Sequence, residues 1–211
     1  MRPKPLRLIL VRHGETDWNV EHRFQGQSDQ PLNAKGHEQA KAVATRLQDS
    51  VIDLVISSPL QRALETANAI AAHLNLTVQC DDRLKERHFG VLEGEHYANW
   101  TANHPEVWKS VSEHPHSYRL PGGESIDDLT RRVESFLAEL VKLHHGQTVA
   151  VVCHGQVNRT LLGLLLGIGF DELKHYSIPN TSHSIFDVYE NKVEVVDMSQ
   201  IVITTGTQWR I

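Results

Sequence analysis

Apolar and polar positions along this chain switch repeatedly between two periods. Short apolar runs cover Leu6 to Val11, Leu54 to Ser57, Thr77 to Cys80 and Thr148 to Cys153, and a later pair spans Ser184 to Tyr189 and Lys192 to Asp197. Such runs, short and rich in Val, Ile and Leu, predict buried strands. Between them the apolar residues fall three and four apart. Ala40, Val43, Ala44 and Leu47 follow a cap at Asn33, and Leu60, Ala63, Leu64, Ala67, Ile70, Ala71 and Leu74 form a second set. Both spacings predict amphipathic helices. A third helix is predicted from Ser125, with Asp128 three residues on as a capping-box variant, through Leu129, Val133, Phe136 and Leu140 to a stop at Gly146. A fourth, from about Gln156, is apolar nearly all round from Leu161 to Leu166 and is predicted to be buried. Strands alternating with helices predict an α/β fold, a three-layer sandwich with a mostly parallel sheet flanked by helices. The last two strands, joined at about Glu190-Asn191, predict a hairpin, so the sheet is mixed with an antiparallel edge.

The rhythm breaks between about Gly90 and Gly123, where Tyr97, Trp100, Trp108 and Tyr118 sit among histidines and no strand is evident. We read residues 1–211 as a single domain with a lid-like insertion at about 90–123 lying over the site. Trp100 and Trp108 suit either substrate contact or the insertion's own core. The run Ile201 to Thr205 suits an edge strand or contact with a partner chain.

Composition narrows the class. No apolar run reaches the ~18 residues of a membrane-spanning helix, and Met1 to Arg7 leads directly into the first strand without a cleavage pattern, which predicts a cytoplasmic protein with no membrane partner. Cys80 and Cys153 lie in or beside apolar runs, as reduced core thiols would. With 21 Lys+Arg against 26 Asp+Glu, the net charge of −5 argues against nucleic acid as a partner. Fourteen histidines invite a metal reading, but His114-Pro-His116 lacks further ligands and His144-His145 suits the polar end of a helix, so no metal is expected.

The candidate chemistry lies where strands end, because ligands of open α/β sheets bind beyond the carboxyl ends of the strands. The first run passes into Arg12-His13-Gly14-Glu15-Thr16, the second into Ser57-Ser58-Pro59-Leu60-Gln61-Arg62, and the fourth into His154-Gly155. Each histidine has a glycine behind it that permits close approach of a ligand. Arg62 falls in the first turn of a helix opened by Pro59, where free N–H groups already favour an anion. Two arginines and two histidines make a cationic cup suited to phosphate. An imidazole can attack phosphorus to form a phosphohistidine while the other groups hold the transferring oxygens. The leaving alkoxide then needs a proton, for which Glu86 is the candidate.

These residues resemble the histidine phosphatase superfamily, also called phosphoglycerate mutase-like, from about Leu8 to Asp187. Leu10-Val-Arg12-His13-Gly-Glu-Thr-Asp-Trp-Asn19 is similar to the family's nucleophile loop, Ser58-Pro-Leu-Gln-Arg62-Ala-Leu-Glu-Thr-Ala67 to its second signature, and Val151-Val-Cys-His154-Gly155 to its last. The resemblance implies the phosphoglycerate mutase-like sandwich, with His13 as nucleophile, Arg12, Arg62 and His154 on the phosphoryl group and Glu86 as proton donor. Asn19, Gln25, Gly26 and Gly155 are the implied substrate contacts, and no cofactor or metal is implied. Members include phosphatases and mutases. Between Glu86 and Glu124 only Arg87, Lys109 and Arg119 are fixed cations, and Pro121-Gly-Gly-Glu-Ser125 is similar to the phosphatase branch. The expectation is therefore a histidine acid phosphatase-type phosphomonoesterase acting on a small phosphorylated metabolite, with a homodimer left open. A mutase is the alternative, and a non-catalytic phosphate-binding module is the third reading.

Overall fold

The computed structural model describes residues 4–203. Along the chain come β1 (Leu6–Arg12), α1 (Asp17–Val20), α2 (Ala34–Arg46), β2 (Leu54–Ser57), α3 (Gln61–Leu74) and β3 (Val78–Cys80). After α4 (Trp100–Asn103) and α5 (Pro105–Glu113) follow α6 (Ile126–Leu143), β4 (Thr148–Cys153), α7 (Gly155–Leu166) and α8 (Phe170–Leu173). The chain continues through β5 (Tyr176–Ser177), β6 (His183–Val188), β7 (Val193–Asp197) and β8 (Val202–Ile203).

Six strands form one sheet in the order β3-β2-β4-β1-β6-β7. The first four are parallel, while β6 and β7 run antiparallel at one side. This is the predicted mixed sheet with its hairpin. Because strand side chains alternate, each central strand feeds two cores. Leu6, Leu8 and Leu10 of β1 and Val149, Val151 and Cys153 of β4 pack with Leu129, Val133 and Phe136 of α6 and Leu161 of α7. On the opposite face Ile9, Val11, Ala150 and Val152 pack with Val43 of α2 and Ala63, Ala67 and Ile70 of α3. Two helical layers thus enclose the sheet, and β1 and β4, buried on both faces, hold its centre.

Both predicted caps form. Asn33 Oδ1 accepts from the Gly36 N–H at 2.8 Å. Ser125 Oγ accepts from Asp128 N–H at 3.0 Å while Asp128 Oδ2 accepts from Ser125 N–H at 3.0 Å. Helix α3 differs from expectation, since it begins at Gln61 with Leu60 as its cap, so Pro59 stands ahead of the helix instead of opening it. Its first N–H is met by Asp29 Oδ1 at 2.6 Å, a partner from a distant loop. Cys153 is buried as predicted, but Cys80 is exposed, because β3 is the sheet's edge strand.

Residues 90–123 carry short helices around a separate apolar cluster of Phe24, Phe89, Leu92, Trp100, Val107 and Leu120. Trp108 packs edge-on to Trp100, with ring centroids 5.4 Å apart. Val202–Ile203 do add a strand, pairing antiparallel with Tyr176–Ser177 outside the main sheet; the remainder of that expectation lies outside the described residues. No helix among them is long and apolar enough to cross a membrane.

The join between β1 and α2 is unusually close. Gly14 approaches the backbone of Gly36, and a Cβ built on Gly36 would overlap the Glu15 carbonyl. Gly36→Ala should therefore destabilise the fold by ~1–3 kcal/mol through overpacking, outweighing the ~0.5–1 kcal/mol an alanine normally gains within a helix. A lowered urea midpoint is the expected result.

Candidate active site

The carboxyl ends of β1, β2 and β4 meet, as predicted, at one cavity of about 780 Å³. Its walls include Arg12, His13, Asn19, Gln25, Gly26, Arg62, Glu86 and Gly155, eight of the nine residues singled out above. The ninth, His154, is fully buried behind the wall, its ring centroid 5.2 Å from that of His13.

His13 is almost wholly buried. Its Nδ1 lies 2.6 Å from the Gly14 carbonyl oxygen, which can only accept, so Nδ1 carries a proton. Burial, reinforced by the guanidinium groups of Arg62 and Arg12, holds the His13 pKa well below the usual 6.5. The neutral ring therefore keeps a lone pair on Nε2, the form a nucleophile needs. His154 is held neutral in the same way, by burial and then by Arg62, His13 and Arg12. Its Nε2 pairs with Ser58 Oγ at 2.8 Å, while Nδ1 has no hydrogen-bond partner among the described residues. The cup is therefore cationic through its arginines, with two neutral imidazoles beside them.

Arg62 is fully buried at the start of α3. Nη1 donates to the Ser28 carbonyl at 3.0 Å and Nη2 to the Gly26 carbonyl at 2.7 Å, whereas Nε has no partner among the described residues. Burial pushes its pKa down to about 10, opposed by the charges of Glu86, Asp29 and Glu93. It stays protonated at neutral pH. Arg12, on the other side, donates from Nη1 to the Ile178 carbonyl at 2.6 Å.

Asn19 has a double role. It is the third residue of α1, where its side chain completes a capping box with Thr16. Its Oδ1 accepts from the Thr16 N–H at 3.1 Å, which leaves the amide nitrogen as the free end in the cavity wall. Gln25 is anchored through Oε1 by the Thr16 hydroxyl at 3.0 Å. Glu86 is part of the cavity wall, where Oε1 accepts from Arg87 N–H at 2.9 Å and Oε2 from Gln156 N–H at 3.2 Å. The neighbouring carboxylates are otherwise engaged: Glu124 pairs with Arg132 at 2.8 Å, and Glu93 is saturated by backbone donors away from the cavity.

The glycines behind the two histidines differ. Gly155 lines the cavity, and a Cβ placed on it would lie nearest to Glu86 Oε2 and Arg12 Nε, whereas Gly14 faces the start of α2. The close approach required at Gly14 is therefore to the protein's own backbone and not to a ligand.

Several wall residues had not been singled out. Asn180 donates from Nδ2 to the His13 carbonyl at 2.9 Å and lies 3.3 Å from Asn19 Oδ1, tying the His13 loop to the segment just before β6. The next residue, Thr181, adopts φ 53°, rare for a β-branched side chain, and its N–H donates to the Arg12 carbonyl at 3.0 Å. The turn-forming run Pro179-Asn-Thr-Ser182 was the available signal. Arg159, one turn into α7, adds a cation to the wall. Of the cations between Glu86 and Glu124, Arg87 is buried against the Glu124 carbonyl at 3.2 Å and Arg119 pairs with Asp128 at 2.8 Å. Phe24, Phe89, Tyr97 and Trp100 form an aromatic wall, so Trp100 both lines the cavity and belongs to the insertion's core, while Trp108 lies only in the latter.

The two neutral imidazoles make stability pH-dependent. As pH falls through about 6.5 the unfolded histidines bind protons before the folded ones do, so the stability present above that value declines towards the depressed folded pKa. Urea midpoints measured from pH 7 to pH 5 should fall, and His154→Gln should flatten that slope. An unchanged slope would contradict the buried, neutral assignment.

Comparison with known proteins identifies the family. Residues 8–201 match the histidine phosphatase superfamily (branch 1). Phosphoserine phosphatase 1 of Hydrogenobacter thermophilus is 35% identical over 194 residues, covering 92% of each chain. A probable phosphoglycerate mutase, GpmB, of an Enterobacter species is 38% identical over 187 residues, covering 88% of this chain and 86% of its own. Among solved structures, the alpha-ribazole phosphatase of Shigella flexneri superposes with a TM-score of 0.81 at 31% identity, over 90% of this chain and 94% of that one. By the match over residues 8–201 and relatives at 35% and 38% identity, the chain belongs to the histidine phosphatase superfamily, branch 1.

Proposed function

We propose that this protein hydrolyses a small phosphorylated metabolite through a phosphohistidine at His13. The observation that carries the reading is the neutral His13 ring, Nδ1 committed to Gly14 and Nε2 left as nucleophile, in a cavity shared with Arg12, Arg62 and Glu86. In the first step Nε2 forms a bond to phosphorus as the P–O bond to the leaving alcohol breaks, and Glu86 gives that oxygen a proton. Glu86 then takes a proton from water, whose oxygen attacks phosphorus and releases phosphate and His13. Arg12, Arg62 and the Asn19 amide hold the transferring oxygens, and the buried Nδ1 of His154 is a further group that a phosphoryl oxygen would satisfy.

Water as acceptor is supported by the segment between Glu86 and Glu124, where Arg87 donates to the Glu124 backbone carbonyl and Arg119 pairs with Asp128. Arg159 in the wall favours a second reading, a mutase that grips another anionic group. With 3-phosphoglycerate as substrate, isomer formation faster than phosphate release would select the mutase. The relatives' names, a phosphoserine phosphatase, a probable phosphoglycerate mutase and an alpha-ribazole phosphatase, support a small metabolite as substrate. The unpaired Cys80 and Cys153 thiols suit a reducing, cytoplasmic setting.

Acid-labile phosphate should appear on the quenched protein and be absent from His13→Ala, with turnover reduced by at least ~1,000-fold. Turnover by that variant near the unmodified rate would sink the mechanism. For Glu86→Gln the expected loss with an alkyl phosphate is ~100-fold or more, shrinking towards unity with p-nitrophenyl phosphate, whose leaving group needs no proton. Equal losses on both substrates would remove Glu86 as the donor.

A further inference from the structure

Glu93 lies outside the cavity wall, yet its carboxylate is among the most heavily engaged groups in the molecule. Oε1 accepts from Gln27 N–H at 2.9 Å and Phe89 N–H at 3.1 Å. Oε2 accepts from Ser28 N–H at 2.9 Å and from the Ser28 hydroxyl at 2.6 Å. The same carboxylate packs directly on Gly26, where it occupies the space of a Cβ; φ is +55° there, so only glycine suits both the backbone and the contact. One charged group thus fastens the Gly26–Ser28 turn to the start of the insertion at Phe89.

That turn is what holds Arg62. Gly26 and Ser28 supply the two carbonyl oxygens that receive Nη2 and Nη1, and they fix the guanidinium plane with Nε unpartnered at the cavity. A shift of the turn would therefore rotate the guanidinium, while leaving β2, α3 and the sheet in place. Glu93 also opposes, through its charge, the burial that weakens Arg62's hold on its proton.

We propose that Glu93 is a positioning residue for phosphate: it acts through the Gly26–Ser28 turn on Arg62 and couples the placement of the insertion to anion affinity. This rests on the phosphate-binding reading of the cavity. In Glu93→Gln an amide NH₂ would face backbone N–H donors that now meet a carboxylate oxygen, so the turn is no longer held on both sides. Ser28→Ala removes a single donor and is the milder variant.

The test is calorimetric titration of the whole protein with inorganic phosphate, in the unmodified and Arg62→Gln backgrounds. Glu93→Gln should weaken phosphate binding about tenfold when Arg62 is present and by less than about twofold when it is absent, since residues acting through one another are not additive. Ser28→Ala should show the same pattern at smaller size, which keeps the test decisive if Glu93→Gln folds poorly. Equal losses in both backgrounds, or unchanged affinity with Arg62 present, would overturn the proposal. Absence of phosphate binding by the unmodified protein would instead overturn the reading of the cavity, and this inference with it.

Discussion

Everything around the cavity follows from a guanidinium that is fully buried without a carboxylate partner. Arg62 is held by two carbonyl oxygens, and among the described residues no acid lies within ion-pair distance of it. A buried cation satisfied only by dipoles keeps most of its charge available, and the low local dielectric makes that charge more effective than it would be in water. With burial as the main cause, it also helps to keep the histidines neutral. A third and fourth positive charge in the same desolvated volume would be strongly unfavourable, so His13 and His154 give up their protons and His13 keeps the lone pair that nucleophilic attack requires.

Holding that arrangement takes several loops at once. The sheet delivers His13 and His154 from the adjacent parallel strands β1 and β4, and its rigidity comes from their burial on both faces. The remaining contacts are made by loops that fasten one another: Asn180 to the His13 carbonyl, Thr16 to Asn19 and Gln25, and Gln156 to Glu86. A site built this way is preorganised because these polar groups already have hydrogen bonds before an anion arrives. Phe24, Phe89, Tyr97 and Trp100 add an aromatic part to the same cavity wall.

Much of this was legible in the chain. Short apolar runs marked the central strands, the Asn33 and Ser125 caps marked two helices, and the three polar strand ends marked the cavity. The failures have local causes. Pro59 suggested a helix start two residues too early because Leu60, with no side-chain cap of its own, takes the cap position and a distant Asp29 supplies the acceptor. Cys80 was expected in a core because an apolar run does not reveal whether its strand is central or at an edge. Gly14 looked like a ligand contact because sequence shows that a glycine is needed, not which surface approaches it.

By itself the sequence determined the α/β class, the strand ends that carry chemistry and the residue types suited to phosphate, since these depend on periodicity and on intrinsic side-chain properties. Only the tertiary structure decided which of those groups share a cavity, which acid faces it, and which proton each histidine keeps. It alone brought in Asn180, Arg159 and Glu93. These are separated along the chain by segments whose spacing carries no distance information, and the burial and neighbouring charge that set their roles exist only once the chain has packed.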